Sequence, residues 1–188
     1  AELLVGRGRA AEAVPVYEAL LNEAPDDVDL RFGYVKALME SGARAAAARQ
    51  LDLLEARIAA DDSGRRQLLF WRRYGIDDYA GAQRVIDAQL QRHPDDADVV
   101  AGAAELARAR GQTEPATMYF RRAAQLLRER NLGSDRARAD AMLAQVERFG
   151  AAHRGWVAGG VNSLHKPGSA GISQLDAIEV PVELRVSL

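Results

Sequence analysis

A period of 34 residues runs through the first two-thirds of the sequence and limits what the chain can fold into. The period is marked by Gly8, Gly42 and Gly111, and a fourth copy has Asp77 at the glycine position with an offset of one residue. Five residues after each glycine comes an alanine, and nine after it comes a large apolar residue. Small and large apolar residues at these spacings predict pairs of amphipathic helices joined by a turn.

This period and pattern resemble the tetratricopeptide repeat. The resemblance implies a solenoid of helix hairpins that serves as a binding scaffold. We therefore predict a mainly all-α fold with a short C-terminal β segment of two strands. Residues 1–150 are predicted to form about 3.5 repeats and a capping helix. Because the sequence begins inside a repeat, we expect it to belong to a longer protein.

Helix limits follow from the apolar periodicity and from the turn residues between helices. The predicted helices span about 10–23, 28–40, 44–59, 64–74, 79–92, 114–129 and 134–150, and the fourth repeat begins at about residue 97. Pairs of acidic residues recur at the inter-helix turns: Asp26-Asp27, Asp61-Asp62, Asp77-Asp78 and Asp95-Asp96. Aspartate at a helix N-cap accepts free backbone N–H groups, so capping explains these pairs better than catalysis does. Ser134 or Asp135 is the predicted cap of the last helix.

Composition excludes several classes of site. The sequence has no cysteine, which excludes disulfides and thiolate metal sites. Its net charge is −2 with interleaved signs, so we predict no nucleic-acid partner. The three histidines lack metal-ligand spacing, and no nucleophile–base pair or phosphate loop is present. We predict no cofactor, no metal and no enzyme activity.

The character of the sequence changes after residue 150. Residues 155–164 can form a strand, 165–177 are predicted as a loop, and 178–188 alternate strictly between apolar and polar residues. A strand of this length and alternation suits a transmembrane β-barrel. An ordinary half-buried amphipathic strand explains the alternation as well.

Three motifs in this tail resemble one known junction. They are Gly155-Trp156-Val157, the segment Gly168–Leu175, and Ile178–Glu183 with its Glu-x-Pro pattern. They are similar to the start of the outer-membrane domain of the BcsC-like family of cellulose synthase proteins, in which periplasmic repeats lead into a β-barrel. The resemblance implies that residues 151–188 are the incomplete start of a barrel.

The resemblance also implies a place and a role. It implies the periplasm and outer membrane of a Gram-negative bacterium and export of a β-glucan such as cellulose. The implied partners are the other proteins of a cellulose synthase or export complex, and the outer membrane through the barrel. Glu179, Glu183 and Arg185 would face the polar lumen of that barrel.

A groove along the first helices of the repeats is the predicted binding surface. The candidates are Phe32, Lys36, Trp71, Tyr74, Glu105 and Arg108. Sugar rings stack on aromatic faces, and charged groups hydrogen-bond hydroxyls, so a glucan chain is one predicted ligand. Contact with a protein, and plain packing between helices, remain open for the same residues.

The sequence therefore supports two functions. The first is a periplasmic scaffold and conduit in an exopolysaccharide exporter. The alternative is a soluble repeat adaptor that binds a peptide or protein and has no link to polysaccharide.

Overall fold

The computed structural model describes residues 1–130, 132–152, 156–159, 162–166, 175–179 and 182–185, with backbone alone from residue 150 onward. The described elements divide between two units, Ala1–Leu143 and Ala144–Leu188. The helices are α1 Glu2–Gly6, α2 Ala10–Glu23, α3 Val28–Glu40, α4 Arg44–Arg57, α5 Ser63–Gly75, α6 Tyr79–Arg92, α7 Ala97–Ala109, α8 Thr113–Arg130 and α9 Gly133–Ala152. The predicted helical repeats are confirmed, and several boundaries agree to the residue.

Successive helices pair into hairpins: α1 with α2, α3 with α4, α5 with α6 and α7 with α8. We call these the first to fourth repeats. The residue between the two helices of each repeat has a positive φ: 72° at Gly8, 81° at Gly42, 63° at Asp77 and 70° at Gly111. Asp77 thus takes the place of the turn glycine, as the period predicts. Aspartate is among the few residues that tolerate this left-handed conformation.

The two aspartates of an acidic pair make different contacts. The second aspartate is the N-cap: Asp27, Asp62 and Asp78 each accept a hydrogen bond of 2.9 Å from a backbone N–H three residues on. Asp96 caps α7 and accepts from the backbone N–H groups of Asp98 at 2.8 Å and Val99 at 3.3 Å. The prediction that capping explains these pairs is confirmed for the second member.

The first aspartate of three pairs instead binds an arginine from a neighbouring element. Asp26 pairs with Arg57 at 3.2 Å, and Asp77 pairs with Arg44 at 2.5 Å. Asp95 pairs with Arg122 on α8. These first aspartates therefore fix the inter-helix turns to the second helices of the repeats.

The last helix begins earlier than predicted. It starts at Gly133, and the backbone N–H groups of Asp135 and Arg136 donate to the carbonyl of Leu132. Ser134 and Asp135 therefore lie inside the first turn, and the prediction that either one caps the helix is wrong. Ala139 packs with Val100 and Leu127 in an apolar cluster, which is the covering role predicted for the last helix.

The extra residue of the third repeat lies in the loop between α4 and α5, residues 58–62. Ile58 turns into the core and is only 4% exposed. The guanidinium of Arg66 on α5 donates to the carbonyl of Ile58 at 2.5 Å and to that of Ala59 at 3.3 Å. Arg66 thus satisfies the carbonyl of Ile58, and it gives that of Ala59 a second donor beside the backbone N–H of Asp62 at 3.2 Å.

The described residues of the tail contain four strand segments. They are β1 Trp156–Gly159, β2 Asn162–Lys166, β3 Leu175–Glu179 and β4 Val182–Arg185. β1 pairs antiparallel with β4, from Trp156↔Arg185 to Gly159↔Val182. β2 pairs antiparallel with β3, from Asn162↔Glu179 to Lys166↔Leu175. The two ladders have the same register, because the numbers of the paired residues have the same sum in both.

This arrangement corrects the predicted limits of the tail. β2 and β3 both extend into residues predicted as a loop. Residues 180, 181 and 186–188 of the predicted strand 178–188 lie outside the described residues, so its continuity stays a prediction. The predicted domain boundary at residue 150 falls within α9.

Candidate functional site

An aromatic cluster on α5 is the main candidate site. Phe70 is fully buried, whereas Trp71 next to it is 39% exposed. The ring of Trp71 meets Phe70 edge-on at a centroid distance of 4.8 Å and Tyr74 edge-on at 5.5 Å. Edge-to-face packing of this kind is favourable, so it holds the exposed Trp71 ring in place.

Helix α7 places two charged side chains beside this cluster. Arg108 and Glu105 form an ion pair at 2.7 Å. Arg108 also donates to the hydroxyl of Tyr74 at 3.4 Å. The hydrogen bond to Glu105 is the main reason that the pKa of Arg108 is raised. Trp71, Tyr74, Glu105 and Arg108, which we call the α5–α7 face, therefore lie together, and their role in binding stays a prediction.

Two other predicted groove residues lie elsewhere. Lys36 on α3 is exposed and pairs with Glu40 at 3.8 Å. Phe32 on α3 is only 5% exposed and belongs to the core, so its prediction as a binding residue is wrong. Phe32 belongs to the apolar cluster that also contains Tyr17 and Leu51, so its ring packs between helices.

The sequence analysis missed one member of the cluster. The ring of Tyr79, the first residue of α6, lies 5.8 Å from that of Tyr74. Its hydroxyl donates to Asp77 at 3.0 Å. An aromatic residue directly after the left-handed turn and its cap is the signal that predicts this contact, because the turn brings the start of α6 next to the end of α5.

A buried arginine anchors α5 below the aromatic cluster. Arg73 is only 1% exposed and binds Asp52 at 2.8 Å, Glu55 at 2.6 Å and Asp78 at 2.5 Å. Burial works to lower the pKa of Arg73, but hydrogen bonds to Asp52 and Asp78 raise it overall. The cluster ties α5, which carries Trp71 and Tyr74, to α4 and to the cap of α6.

The three lumen candidates have a backbone placement only. Glu179 ends β3, and Glu183 and Arg185 belong to β4. Their side chains lie outside the described part of the chain, so their role stays a prediction. Among the described residues, no group of three or more histidine, aspartate or glutamate side chains is arranged to hold a metal ion. No helix among them combines the length and apolarity needed to span a bilayer.

Comparisons with known proteins support the helical repeats. The family model described as Tetratricopeptide repeat matches residues 4–67. A crystal structure of MamA protein has a TM-score of 0.54 and 14% identity, covering 80% of this chain and 84% of that one. The structure of MamA 41-end from Desulfovibrio magneticus RS-1 has a TM-score of 0.54 and 17% identity, and the match covers 80% of this chain and 90% of that one. At these identities the likeness is one of fold. A search of curated sequences finds no significant match.

Proposed function

We propose that the chain is the repeat scaffold of a bacterial outer-membrane exporter of β-glucan. In this proposal the helical repeats dock other proteins of the export complex in the periplasm. The α5–α7 face guides the glucan toward a barrel that begins in the tail. The chain acts by holding and positioning, without catalysis, cofactor or metal.

The observation that carries the proposal is the α5–α7 face itself. Trp71 keeps 39% of its surface exposed, and Tyr74 is only partly buried where it packs against the core. Arg108 and Glu105 lie within reach of the same rings. Aromatic rings stack on the C–H faces of sugars, while guanidinium and carboxylate groups bond to hydroxyls. The tail motifs that resemble the BcsC-like family favour a glucan over other polymers.

The test is a cello-oligosaccharide titration followed by tryptophan fluorescence. Trp71 and Trp156 are the two tryptophans of the sequence, so a Trp156→Phe background leaves Trp71 as the sole reporter. We expect a saturable shift in its emission at millimolar sugar. The shift should be lost in Tyr74→Ala and retained in Lys36→Ala, because Lys36 is exposed on α3 outside the face.

Two controls separate sugar binding from general effects. Tyr74→Phe keeps the ring and removes the hydroxyl that accepts from Arg108, so it should weaken binding less than Tyr74→Ala does. Malto-oligosaccharides of equal length, whose linkage gives another chain shape, should bind more weakly. A flat titration at millimolar sugar would remove the glucan role and leave the repeats as a protein-docking spacer.

The membrane part of the proposal has its own test. The natural protein that carries this sequence should fractionate with outer membranes and need detergent for extraction. Recovery in a soluble fraction without detergent would overturn the exporter assignment while leaving the repeat scaffold intact.

A soluble adaptor for a peptide or protein is the second candidate. It is favoured by the mutual pairing of Glu105, Arg108 and Tyr74, which already uses part of their hydrogen-bonding capacity. An adaptor should saturate with segments of its partner and ignore oligosaccharides of either linkage. The same fluorescence reporter therefore separates the two functions.

A further inference from the structure

A pocket lies among α2, α3 and α4, and it shares no residue with the α5–α7 face. It is an open surface depression of about 340 Å³. Its lining is mostly polar and consists of Glu18, Leu21, Asn22, Arg31, Tyr34 and Gln50. A volume near the lower end of the range for ligand pockets suits a small molecule or a single side chain better than a polymer.

Arg31 is the unusual member of this lining. It is only 7% exposed, yet its two hydrogen-bond partners are neutral: the side-chain oxygen of Gln50 at 2.5 Å and the carbonyl of Pro25. Its Nε is buried and has no partner. Within the described residues, no carboxylate lies at ion-pair distance from Arg31. A buried charge with neutral partners is costly, because burial removes hydration that no opposite charge replaces.

Arg73, also buried, shows how this chain compensates the charge of a buried arginine. Arg73 is 1% exposed and has three carboxylates around it. Hydrogen bonds to these groups outweigh burial and raise the pKa of Arg73. Burial lowers the pKa of Arg31, and the nearby charge of Arg57 lowers it further. The two sites therefore differ in the supply of negative charge.

The carboxylates near Arg31 are engaged with other groups. Asp26 attracts Arg31 from a distance but pairs with Arg57 at 3.2 Å. Glu18 accepts a hydrogen bond of 2.7 Å from the hydroxyl of Tyr34. Burial and this hydrogen bond raise the pKa of Tyr34 to about 12, so the hydroxyl stays a donor. The pocket therefore contains a guanidinium without a contacting anion.

We propose that this pocket binds a carboxylate group, with Arg31 supplying the charge. Gln50 uses its side-chain oxygen for Arg31, which leaves its NH₂ group free to donate to a ligand. The amide of Asn22 lies in the same lining and adds a further donor. The carboxylate comes either from a small metabolite or from an acidic side chain of a partner protein. This site is independent of the glucan proposal, since it uses none of the same residues.

The test is a titration of the whole chain followed by the NMR shifts of the side-chain amides of Asn22 and Gln50. The probes are acetate and two acetylated, amidated tripeptides, Ala-Glu-Ala and Ala-Gln-Ala. We expect a saturable shift with a carboxylate and none with the glutamine peptide. An equal response to acetate and the glutamate peptide identifies a small carboxylate as sufficient. A response to the peptide alone identifies an acidic side chain.

Two variants of equal charge change locate the site. Glu18→Gln removes the negative charge in the lining and should tighten binding about threefold, as expected for one partly screened charge. Glu12→Gln lies on the same helix, outside the pocket, where Glu12 binds Arg9, and should leave affinity unchanged. Arg31→Lys keeps the charge without the planar fork and should weaken binding. If Arg31→Lys fails to fold, the comparison of the two glutamate variants still decides.

Three results would overturn the proposal. One is the absence of a saturable shift in both the original chain and Glu18→Gln. Another is an equal response to the glutamine peptide, which would indicate polar contact without charge recognition. The third is equal tightening in Glu12→Gln, which would indicate a general charge effect.

Discussion

The third and fourth repeats reach the same hairpin geometry by different chemistry. α7 buries nine of its thirteen residues, most of them alanine or valine. α5 has the same length and buries three: Leu69, Phe70 and Arg73. The fourth repeat is therefore held by close apolar packing, and the third by a buried ion cluster with aromatic rings above it.

This difference explains where the candidate site lies. A helix packed by small residues has little surface left for a ligand, whereas α5 leaves Trp71 exposed and Tyr74 half-buried. The two repeats meet at Gly102, where an added Cβ atom would lie 3.0 Å from the ring of Phe70. The close-packed fourth repeat thus supports the aromatic cluster of the third from behind.

The largest expected effect comes from removing the ion cluster of the third repeat. Arg73→Ala should lower the free energy of unfolding by about 3 kcal/mol, because it leaves a cavity and several uncompensated carboxylates. Urea unfolding followed by circular dichroism measures the loss.

Arg84→Ala is the matched control for that variant. Arg84 pairs with the same Glu55, at 3.6 Å, but its side chain is 59% exposed. Its loss should cost less than about 1 kcal/mol, as for surface pairs. If both variants lost the same free energy of unfolding, the burial of Arg73 would add no stability. The third repeat would then not be held by its buried ion cluster.

The next largest effect on the free energy of unfolding comes from the left-handed residue between the two helices of a repeat. Gly111 in the fourth repeat has a φ of 70° and open space where a Cβ atom would lie. Gly111→Ala should therefore cost about 1–2 kcal/mol from backbone conformation alone. Gly111→Asp should cost less than Gly111→Ala, because aspartate already occupies this conformation at Asp77. Thermal unfolding of the variants gives the order.

Gly64→Ala serves as the control for these substitutions. Gly64 lies inside α5, and an added Cβ atom would make only an ordinary contact at 3.8 Å. This variant should gain up to about 1 kcal/mol from helix propensity. If Gly111→Ala were also stabilising, the left-handed turn would not be a requirement of the fourth repeat.

The smallest effect concerns Asp98, a polar exception in the fourth repeat. Asp98 pairs with Arg138 at 2.5 Å and Arg130 at 3.3 Å. Burial works to raise its pKa, but the hydrogen bonds from the arginines lower it overall. Its stabilising effect is therefore present above the unfolded pKa of about 3.9 and is lost as pH falls through the lower folded value.

Asp98→Asn should thus cost about 0.5 kcal/mol at neutral pH and nothing once the carboxyl is protonated. Melting temperatures of the two chains should differ at pH 7 and converge at strongly acidic pH. Asp140→Asn, which removes an exposed pair with Arg128, should change little at either pH. A difference for Asp98→Asn that persisted in acid would indicate packing and not charge as the cause.

The sequence predicted the backbone of the repeats well because periodicity constrains it directly. Apolar spacing sets the buried side of each helix, and the acidic pairs and turn residues set its ends. Asp77 was identified as the replacement for a glycine from spacing alone, and its φ of 63° agrees. In these features the determining residues lie within a few positions of one another.

Side-chain partners across repeats were not predictable in the same way. The arginine-rich run of α5 was visible, but whether Arg73 met carboxylates or solvent depended on how α4 and α6 pack around it. Phe32 was misjudged for the same reason, since its burial depends on how the neighbouring helices pack against α3. In the tail, alternation predicted strand character but not where each strand ends.

The longer loop between α4 and α5 has a consequence for engineering. Protein designers exchange repeats as interchangeable cassettes of fixed length. A standard cassette inserted over the loop would delete the residue that places Ile58 in the core, and Arg66 would lose its two carbonyl acceptors. The third repeat is therefore transferable only together with the loop before it, as a module one residue longer than its neighbours.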